Sequence, residues 1–239
     1  MHSSDQIKQF IIENLTRHQK DIIKESIRKF GISRQAILKH MHKLISEDRI
    51  IAHGKTRDRF YELKPRVNYS KTVKISSQYS HINILQNQIL PNLNILKKNI
   101  YEICEFSIMA LLSNTIDHAN ATRLYYKLFV TDNDVHIILS DNGRGIFDHI
   151  KNALELRDLQ IAAIEIAKGH VTSDPEHHAG EELRAVVHLF DKITIDASGI
   201  CLSYLNSSNE WISSKSSQQK GTRIHLEIKA SSHRALHDV

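Results

Sequence analysis

Apolar residues recur every three or four positions through the first third of the chain, and this spacing predicts three short amphipathic helices. Their apolar positions are Ile7, Phe10, Ile11 and Leu15 in the first helix, Ile22, Ile23, Ile27 and Phe30 in the second, and Ile37, Leu38, Met41, Leu44 and Ile45 in the third. Asp21 and Ser33 are suitable N-caps for the second and third helices, and Gly31 is suited to end the second.

Residues 50–61 predict two short strands joined by a basic turn at Gly54 and Lys55. Pro65 then interrupts the pattern. Residues 67–80 are expected to form a polar linker that contains a first strand at residues 72–75. The first domain is therefore expected to span residues 1–66.

The pattern changes in residues 81–230, where helices and strands are grouped rather than strictly alternating. A long helix is predicted over residues 99–120, and strands over residues 124–130, 135–139, 192–195, 200–204 and 221–228. The serine-rich residues 207–217 are interpreted as a loop between late strands, and residues 231–239 as a tail. This grouping predicts an α+β fold, a two-layer sandwich with a mostly antiparallel sheet.

The charge of the chain is concentrated at its N-terminal end. Residues 1–66 contain 15 Lys and Arg against 8 Asp and Glu, a net charge of +7, whereas the remaining 173 residues contain 17 against 19, a net charge of −2. Such segregation indicates that the N-terminal domain meets a polyanion and that the rest of the chain has another task.

The composition also bounds the cellular setting. Apolar runs stay short of the roughly 20 residues that a membrane span needs, and the N-terminus is too polar for a secretory signal. Cys104 and Cys201 lack the spacing of a metal or redox motif, so two reduced thiols are expected. We therefore expect a cytoplasmic protein with no membrane partner.

The segment DNGRGI, at residues 141–146, follows the strand predicted at residues 135–139. A carboxylate at the end of a buried strand can accept a hydrogen bond from an exocyclic amine. Gly143 and Gly145 would let the backbone approach a ligand that a Cβ atom would exclude. The segment therefore points to a nucleotide pocket. The alternative interpretation is a tight turn after a strand with no ligand.

Residues 1–66 resemble a winged helix-turn-helix domain, with its turn and third helix in FGISRQAILKHMHKLISEDRI and its wing at the basic turn. The resemblance implies that double-stranded DNA is a partner and that the third helix enters the major groove. The implied contacts are Arg34 and Gln35 to base edges, Lys39, His40 and Lys43 to phosphates, and Lys55, Arg57 and Arg59 from the wing. The alternative is a packing or dimerisation module with a solvated basic face.

Four motifs in residues 81–229 resemble, in order, those of the GHKL superfamily, the Bergerat-fold ATP-binding domains that include DNA gyrase and the histidine kinases. They are LLSNTIDHANAT for the N box, DNGRGI for the first glycine box, HHAGEEL for the second and KGTRIHLEI for the last strand. The resemblance implies a domain over residues 81–230 that binds ATP with Mg²⁺. The fusion to a winged helix resembles bacterial ATP-binding regulators.

The resemblance implies a role for each matching residue. Asn114 would coordinate Mg²⁺, Asp117 and His118 would line the pocket or contact phosphate, Asp141 would bind the adenine amine, Gly143 and Gly145 would shape the turn, Gly180 would face a phosphate, and Thr222 would lie near adenine.

Two positions depart from the family pattern. Ala110 lies four residues before Asn114, where ATP-hydrolysing members have a general-base glutamate. Hydrolysis is therefore expected to be absent or slow, whether the alanine is native or introduced. Glu182 replaces a glycine of the second glycine box, and its charge would repel a triphosphate unless Arg184 or Mg²⁺ compensates.

Three functional hypotheses follow. The leading one is an ATP-responsive transcriptional regulator, expected to be a homodimer, in which nucleotide binding controls the winged-helix domain. The alternative is a GHKL ATPase or a serine/threonine protein kinase like the anti-sigma-factor kinases. In the third, the pocket is vestigial and the protein is a constitutive DNA-binding or scaffold module.

Overall fold

The computed structural model describes residues 3–75, 81–169 and 181–238, and in it the chain divides into two compact units. The first unit comprises Met1–Arg66 together with Val130–Asn133, and the second comprises Val67–Phe129 and Asp134–Val239.

The first unit contains three helices followed by a two-stranded ribbon. The helices are α1 (Ser4–Leu15), α2 (Ile22–Phe30) and α3 (Arg34–Ser46), and the strands are β1 (Ile50–His53) and β2 (Phe60–Leu63). The strands are antiparallel, and His53 lies opposite Phe60 at the turn. The predicted turn at Gly54 and Lys55 continues into a short 3₁₀ segment, Thr56–Asp58.

The ends of these helices follow mostly from local chemistry. Ser33 caps α3, since its hydroxyl accepts a hydrogen bond from the Ala36 N–H at 3.2 Å. Gly31 ends α2 in the left-handed conformation, with φ of 64°. Asp21 occupies the predicted N-cap position of α2, but its side chain makes no capping bond in the described structure, and Oδ1 lies 3.1 Å from His18 Nδ1. Its φ of −118° and ψ of 9° are not those of an extended N-cap residue.

The apolar faces of the three helices pack together with the ribbon to form the core of the first unit. Its buried side chains are Ile7, Ile11, Ile12, Leu15, Ile22, Ile23, Ile37, Met41, Leu44, Ile50 and Tyr61. The predicted core positions Leu38 and Ile45 are partly buried against this cluster. Spacing of three and four residues therefore identified the packed faces correctly.

The second unit is built on a seven-stranded sheet. Its strands are β3 (Val67–Lys74), β4 (Arg123–Val130), β5 (Asp134–Asp141), β6 (Lys192–Ala197), β7 (Ile200–Leu205), β8 (Glu210–Lys215) and β9 (Thr222–Lys229). They lie in the order β3-β4-β5-β9-β6-β7-β8. The pairs β5 with β9, β9 with β6, β6 with β7, and β7 with β8 are antiparallel.

Helices accompany this sheet, and alternate strand residues are buried. The helices are α4 (His81–Ile84), α5 (Lys98–Asp117), α6 (Ile146–Ala153), α7 (Leu159–Lys168) and α8 (Glu181–Leu189). On β5 the buried positions are Val135, Ile137, Leu139 and Asp141, while the residues between them are half-exposed. The protein is thus α+β with a mostly antiparallel sheet, as predicted, and this arrangement is compatible with a two-layer sandwich.

Both edges of the sheet differ from the prediction. The serine-rich segment interpreted as a loop contains β8, which pairs with β7 so that Ser214 lies opposite Cys201. The strand predicted at residues 72–75 is instead the longer β3. Both are edge strands with mostly exposed side chains. A backbone ladder does not require apolar alternation, so the sequence pattern is weakest at such edges.

The two cysteines of the chain, Cys104 and Cys201, are free thiols, as expected. Burial on α5 raises the pKa of the Cys104 thiol to about 12, which leaves it unreactive at neutral pH.

Within residues 3–75, 81–169 and 181–238, no helix has both the length and the apolar character that a bilayer crossing requires.

Candidate functional site

A cleft of about 110 Å³ opens in the second unit beside α5, the start of α6 and the adjoining ends of β5 and β9. One part of its lining is apolar: Leu111, Ala119, Leu139, Ile146, Ile150, Ile166, Leu183 and Ile224. The other part is polar or charged: Asn114, Thr115, His118, Asp141, Arg144, His149, Glu182 and Thr222. A cleft in which apolar walls meet convergent polar groups is a usual form of a small-molecule site.

Four residues singled out in the sequence line this cleft together. Asn114 reaches it from α5, His118 from the C-cap of α5, Asp141 from the end of β5, and Thr222 from the start of β9. Asn114 and His118 are about one helical turn apart, so they lie on the same side of the chain. Asn114, Asp141 and Thr222, which are 27 and 81 positions apart in the chain, are thus brought to one site.

Asp117 is placed differently from its expected position in the pocket. It is exposed, it accepts a hydrogen bond from the Ser113 hydroxyl at 2.8 Å, and it lies outside the cleft lining formed by the described residues. The cleft face of α5 carries Leu111, Asn114 and Thr115, and His118 follows directly after the helix. At 100° per residue, Asp117 points roughly 110° away from the centre of that face.

The Asp141 carboxylate is buried at the base of the cleft, with 8% of the residue exposed. One oxygen accepts a hydrogen bond from the Gly143 N–H at 2.7 Å, and the other accepts one from the Thr222 N–H at 3.3 Å. Burial raises the pKa of Asp141, while these backbone donors act in the opposite direction. A carboxylate has about four acceptor positions, so it retains capacity for further donors.

Thr222 connects β9 to α6. Its hydroxyl accepts a hydrogen bond from the Ile146 N–H at 3.0 Å, which satisfies a donor in the first turn of α6. The residue is 7% exposed. Thr222 therefore positions the start of α6 at the wall of the cleft, a structural role that the sequence pattern did not indicate.

The glycines of this region are required by contacts within the protein. A Cβ atom on Gly143 would collide with the Ala119 carbonyl oxygen, and one on Gly145 would meet the Ser198 hydroxyl. Gly221, with φ of +73°, lies against the Asp141 carbonyl. The sequence predicted that glycines admit a ligand, whereas protein atoms occupy the space beside each of them. Close backbone packing accounts for their presence.

Arg144 and His149 were not assigned to the site from the sequence. Arg144 is exposed at the cleft, and the rings of His118 and His149 are stacked with centroids 5.6 Å apart. Burial lowers the pKa of His149, and the positive charges of Arg144 and His118 act in the same direction. His149 shares a face of α6 with the cleft residues Ile146 and Ile150, and this spacing was the available signal.

The two departures from the family pattern lie on α5 and α8. Ala110 is 4% exposed and has a methyl group at the position where the family resemblance implies a general-base glutamate. Glu182 lines the cleft as expected, in the first turn of α8. Gly180 lies outside the described residues, as does most of the second glycine box.

The candidate DNA contacts all belong to the first unit. Those that are exposed are Arg34, Gln35, Lys39, Lys43, Lys55, Arg57 and Arg59. His40 is half-buried, and its Nδ1 lies 3.5 Å from the Ser4 hydroxyl. Lys43 lies 3.8 Å from the Glu47 carboxylate, and Arg59 covers the Tyr61 ring at 5.5 Å.

Comparison with known proteins gives distant relatives. The chain is 22% identical over 188 residues to Sensor protein VraS of Staphylococcus aureus strain COL, and equally to that of strain MRSA252. The alignment covers 77% of this chain and 49% of the relative, so the chain spans about half the length of the curated relatives it matches. The similarity supports a GHKL-like kinase domain. It gives no support to the winged-helix fusion, and no protein-family model matches the chain.

The packing around Asp141 predicts a large effect of substituting Gly221. Gly221→Ala is expected to lower the free energy of unfolding by about 2–5 kcal/mol, because left-handed strain adds to a collision with the Asp141 carbonyl. Gly199→Ala is the matched control, since φ is also positive there but the nearest atom is a Gln219 side-chain nitrogen at 3.4 Å. It should lose only about 1–2 kcal/mol. Urea unfolding of both variants measures the difference, and equal losses would contradict the packing argument.

Proposed function

We propose that the second unit binds an adenine nucleotide with Mg²⁺ in the cleft between α5 and the β5 turn. The observation that carries the proposal is that Asn114 and Asp141 line one cleft, because the resemblance assigns them to opposite ends of the nucleotide. The order of the four motifs and the distant similarity to a sensor protein add support.

The part of the cleft around Asp141 suits a purine ring. The Asp141 carboxylate keeps acceptor capacity beyond its bonds to Gly143 and Thr222, and an exocyclic amine needs such an acceptor. Leu139 and Ile224 line the cleft nearby with apolar surface. A flat aromatic base gains from burial against such side chains, while the single buried carboxylate gives orientation and specificity.

The rim of the cleft suits the phosphates. Arg144 supplies positive charge, the imidazoles of His118 and His149 can donate hydrogen bonds, and the Asn114 carbonyl oxygen is a ligand type that Mg²⁺ accepts. When bound, Mg²⁺ would neutralise part of the phosphate charge. Glu182 opposes the phosphates in the same cleft, so Arg144 offsets a repulsion as well as attracting the ligand.

The proposal predicts the effect of removing the acceptor charge at residue 141. Asp141→Asn should weaken ATP binding in the presence of Mg²⁺ by about 10- to 150-fold, since one charged hydrogen bond contributes about 1.5–3 kcal/mol. Isothermal titration calorimetry of the full chain measures the change. Asp117→Asn is the matched control, because it alters the same group outside the cleft lining of the described structure, and it should bind ATP as the unmodified chain does. Absence of binding heat in all three proteins would refute the proposal.

The second candidate function is a GHKL ATPase or protein kinase. The similarity of the chain to a sensor protein favours this candidate over the regulator hypothesis. Ala110 stands against hydrolysis, because a methyl group cannot accept a proton from an attacking water. Nucleotide binding is common to both candidates, so phosphate chemistry separates them.

We expect this chain to release phosphate from ATP no faster than its Asp141→Asn variant does. The physical reason is the missing carboxylate at residue 110, and general-base catalysis typically contributes about 10²–10⁴-fold. A phosphate-release assay with Mg²⁺ measures the rate. Release that exceeds the variant's rate would favour the ATPase, and transfer of labelled phosphate to a protein serine or threonine would favour the kinase.

For the first unit we propose a winged helix-turn-helix that binds double-stranded DNA. The support is the order of three helices and a ribbon, the net charge of +7 over residues 1–66, and the exposure of basic residues on α3 and the turn between β1 and β2. Nucleotide binding would regulate DNA binding if the ligand prefers one of two arrangements of the protein. A homodimer would match a two-fold DNA site.

Removing two basic residues from α3 should weaken DNA binding. For Lys39→Ala combined with Lys43→Ala, the slope of log affinity against log salt should become shallower by about 2, because each phosphate contact releases about one counterion. Fluorescence anisotropy with a mixed-sequence duplex at several salt concentrations measures this slope. Lys24→Ala is the control, since Lys24 is exposed on α2. Equal slopes for the double variant and the unmodified chain would contradict the proposed helix contacts.

A further inference from the structure

Three side chains that can bind a metal meet on the half-exposed face of the sheet. His136 lies on β5, and His225 and Glu227 lie two residues apart on β9. In the antiparallel register His136 is opposite Glu227, and Ile138 is opposite His225. Because alternate residues of a strand face the same side, these three side chains share one face, away from the buried residues Ile137, Leu226 and Ile228.

The distances in this cluster suit a small metal ion. His136 Nδ1 lies 3.2 Å from His225 Nε2 and 3.9 Å from Glu227 Oε2. One ligand atom from each of the three residues can be chosen so that all lie within 4.8 Å of one another. Tetrahedral Zn²⁺ with Zn–N bonds of about 2.0–2.1 Å separates neighbouring ligand atoms by about 3.4 Å. The pair of imidazole nitrogens is already close to that separation.

We propose that His136, His225 and Glu227 form a binding site for a divalent transition metal, with Zn²⁺ the best match. Two imidazoles and one carboxylate are a ligand set typical of zinc, and the half-exposed surface leaves a fourth position for water. The ion would clamp the paired strands β5 and β9 at the centre of the sheet. This site is separate from the nucleotide cleft, whose lining includes none of the three residues.

In the histidine pair, metal binding requires a change of tautomer. One of the two facing nitrogens now donates a hydrogen bond to the other. When each ring carries a proton only on its other nitrogen, both lone pairs can point toward the ion. The ring of Phe129 contacts His136 edge-on, with centroids 6.0 Å apart, and helps to fix its orientation.

Lys192 is the group that competes with the metal. Its ammonium lies 3.3 Å from Glu227 Oε1, and its side chain is 39% exposed. The lysine therefore pairs with the carboxylate in the metal-free protein and can turn into solvent when an ion binds. Removing its charge should strengthen metal binding, whereas removing a ligand should weaken it.

A second group, formed by His18, Asp21 and Glu25 on the first unit, provides a matched control. Its residue types match those of a metal site. Glu25, however, is paired with Arg28, and the Asp21 side chain is 51% exposed. Its carboxylates are thus neutralised by the protein or solvated by water, which disfavours metal binding.

The test is titration of the chelator-treated chain, residues 1–239, with Zn²⁺ against a chromophoric chelator. His136→Gln and Glu227→Gln should each weaken the tightest equivalent by at least about tenfold, since even outer-shell changes cost 10–100-fold. Lys192→Gln should strengthen it, and His18→Gln should leave it unchanged. Substitution with Co²⁺ should give the visible absorption of a tetrahedral complex in the unmodified chain and in His18→Gln, but not in His136→Gln.

The proposal is overturned if the unmodified chain binds Zn²⁺ no more tightly than His136→Gln, or if His18→Gln is the variant that loses the tight equivalent. Circular dichroism establishes that each variant is folded. If a ligand variant does not fold, Lys192→Gln still decides, because unchanged or weaker binding in that variant contradicts a site at Glu227. No nucleotide is present in these measurements, so their outcome is independent of the proposed ATP binding.

Discussion

The buried Asp141 carboxylate joins two distant parts of the chain, and the arrangement of the second unit around the cleft depends on this contact. Its two oxygens accept hydrogen bonds from Gly143, in the turn after β5, and from Thr222, at the start of β9. Thr222 in turn accepts a hydrogen bond from the Ile146 N–H at the start of α6. A buried carboxylate needs such donors, since an unpaired charge would be costly. The same bonds hold the elements that form the cleft.

Packing within the protein explains why glycines occur in this turn, without reference to a ligand. Gly143 packs against the Ala119 carbonyl near the end of α5, and Gly221 packs against the Asp141 carbonyl. The Arg144 N–H also donates a hydrogen bond to the Ala119 carbonyl at 2.7 Å. These contacts draw α5 and β9 to the turn after β5. A carboxylate with spare acceptor positions is thereby held rigidly beside apolar walls, as specific recognition of a base requires.

The three proposed binding sites are formed by different residues of the protein. The cleft combines the buried Asp141 carboxylate with the exposed Arg144 and two histidines. Ala110 places a buried methyl group where the resemblance expects a general-base glutamate. His136, His225 and Glu227 lie on the half-exposed face of the sheet and do not contribute to the cleft, and the basic residues belong to the first unit.

The sequence alone determined the features that depend on near neighbours in the chain. Helical spacing located α1 to α3, Ser33 and Gly31 fixed helix ends, and the ordered motifs brought Asn114, Asp141 and Thr222 under consideration. Tertiary structure decided what depends on distant partners. The edge strands β3 and β8 need only a backbone neighbour, Asp117 points away from the cleft because of where α5 packs, and His136 meets His225 only through strand register. Those positions are set by how elements remote in sequence pack, and a local pattern of apolar residues does not contain that information.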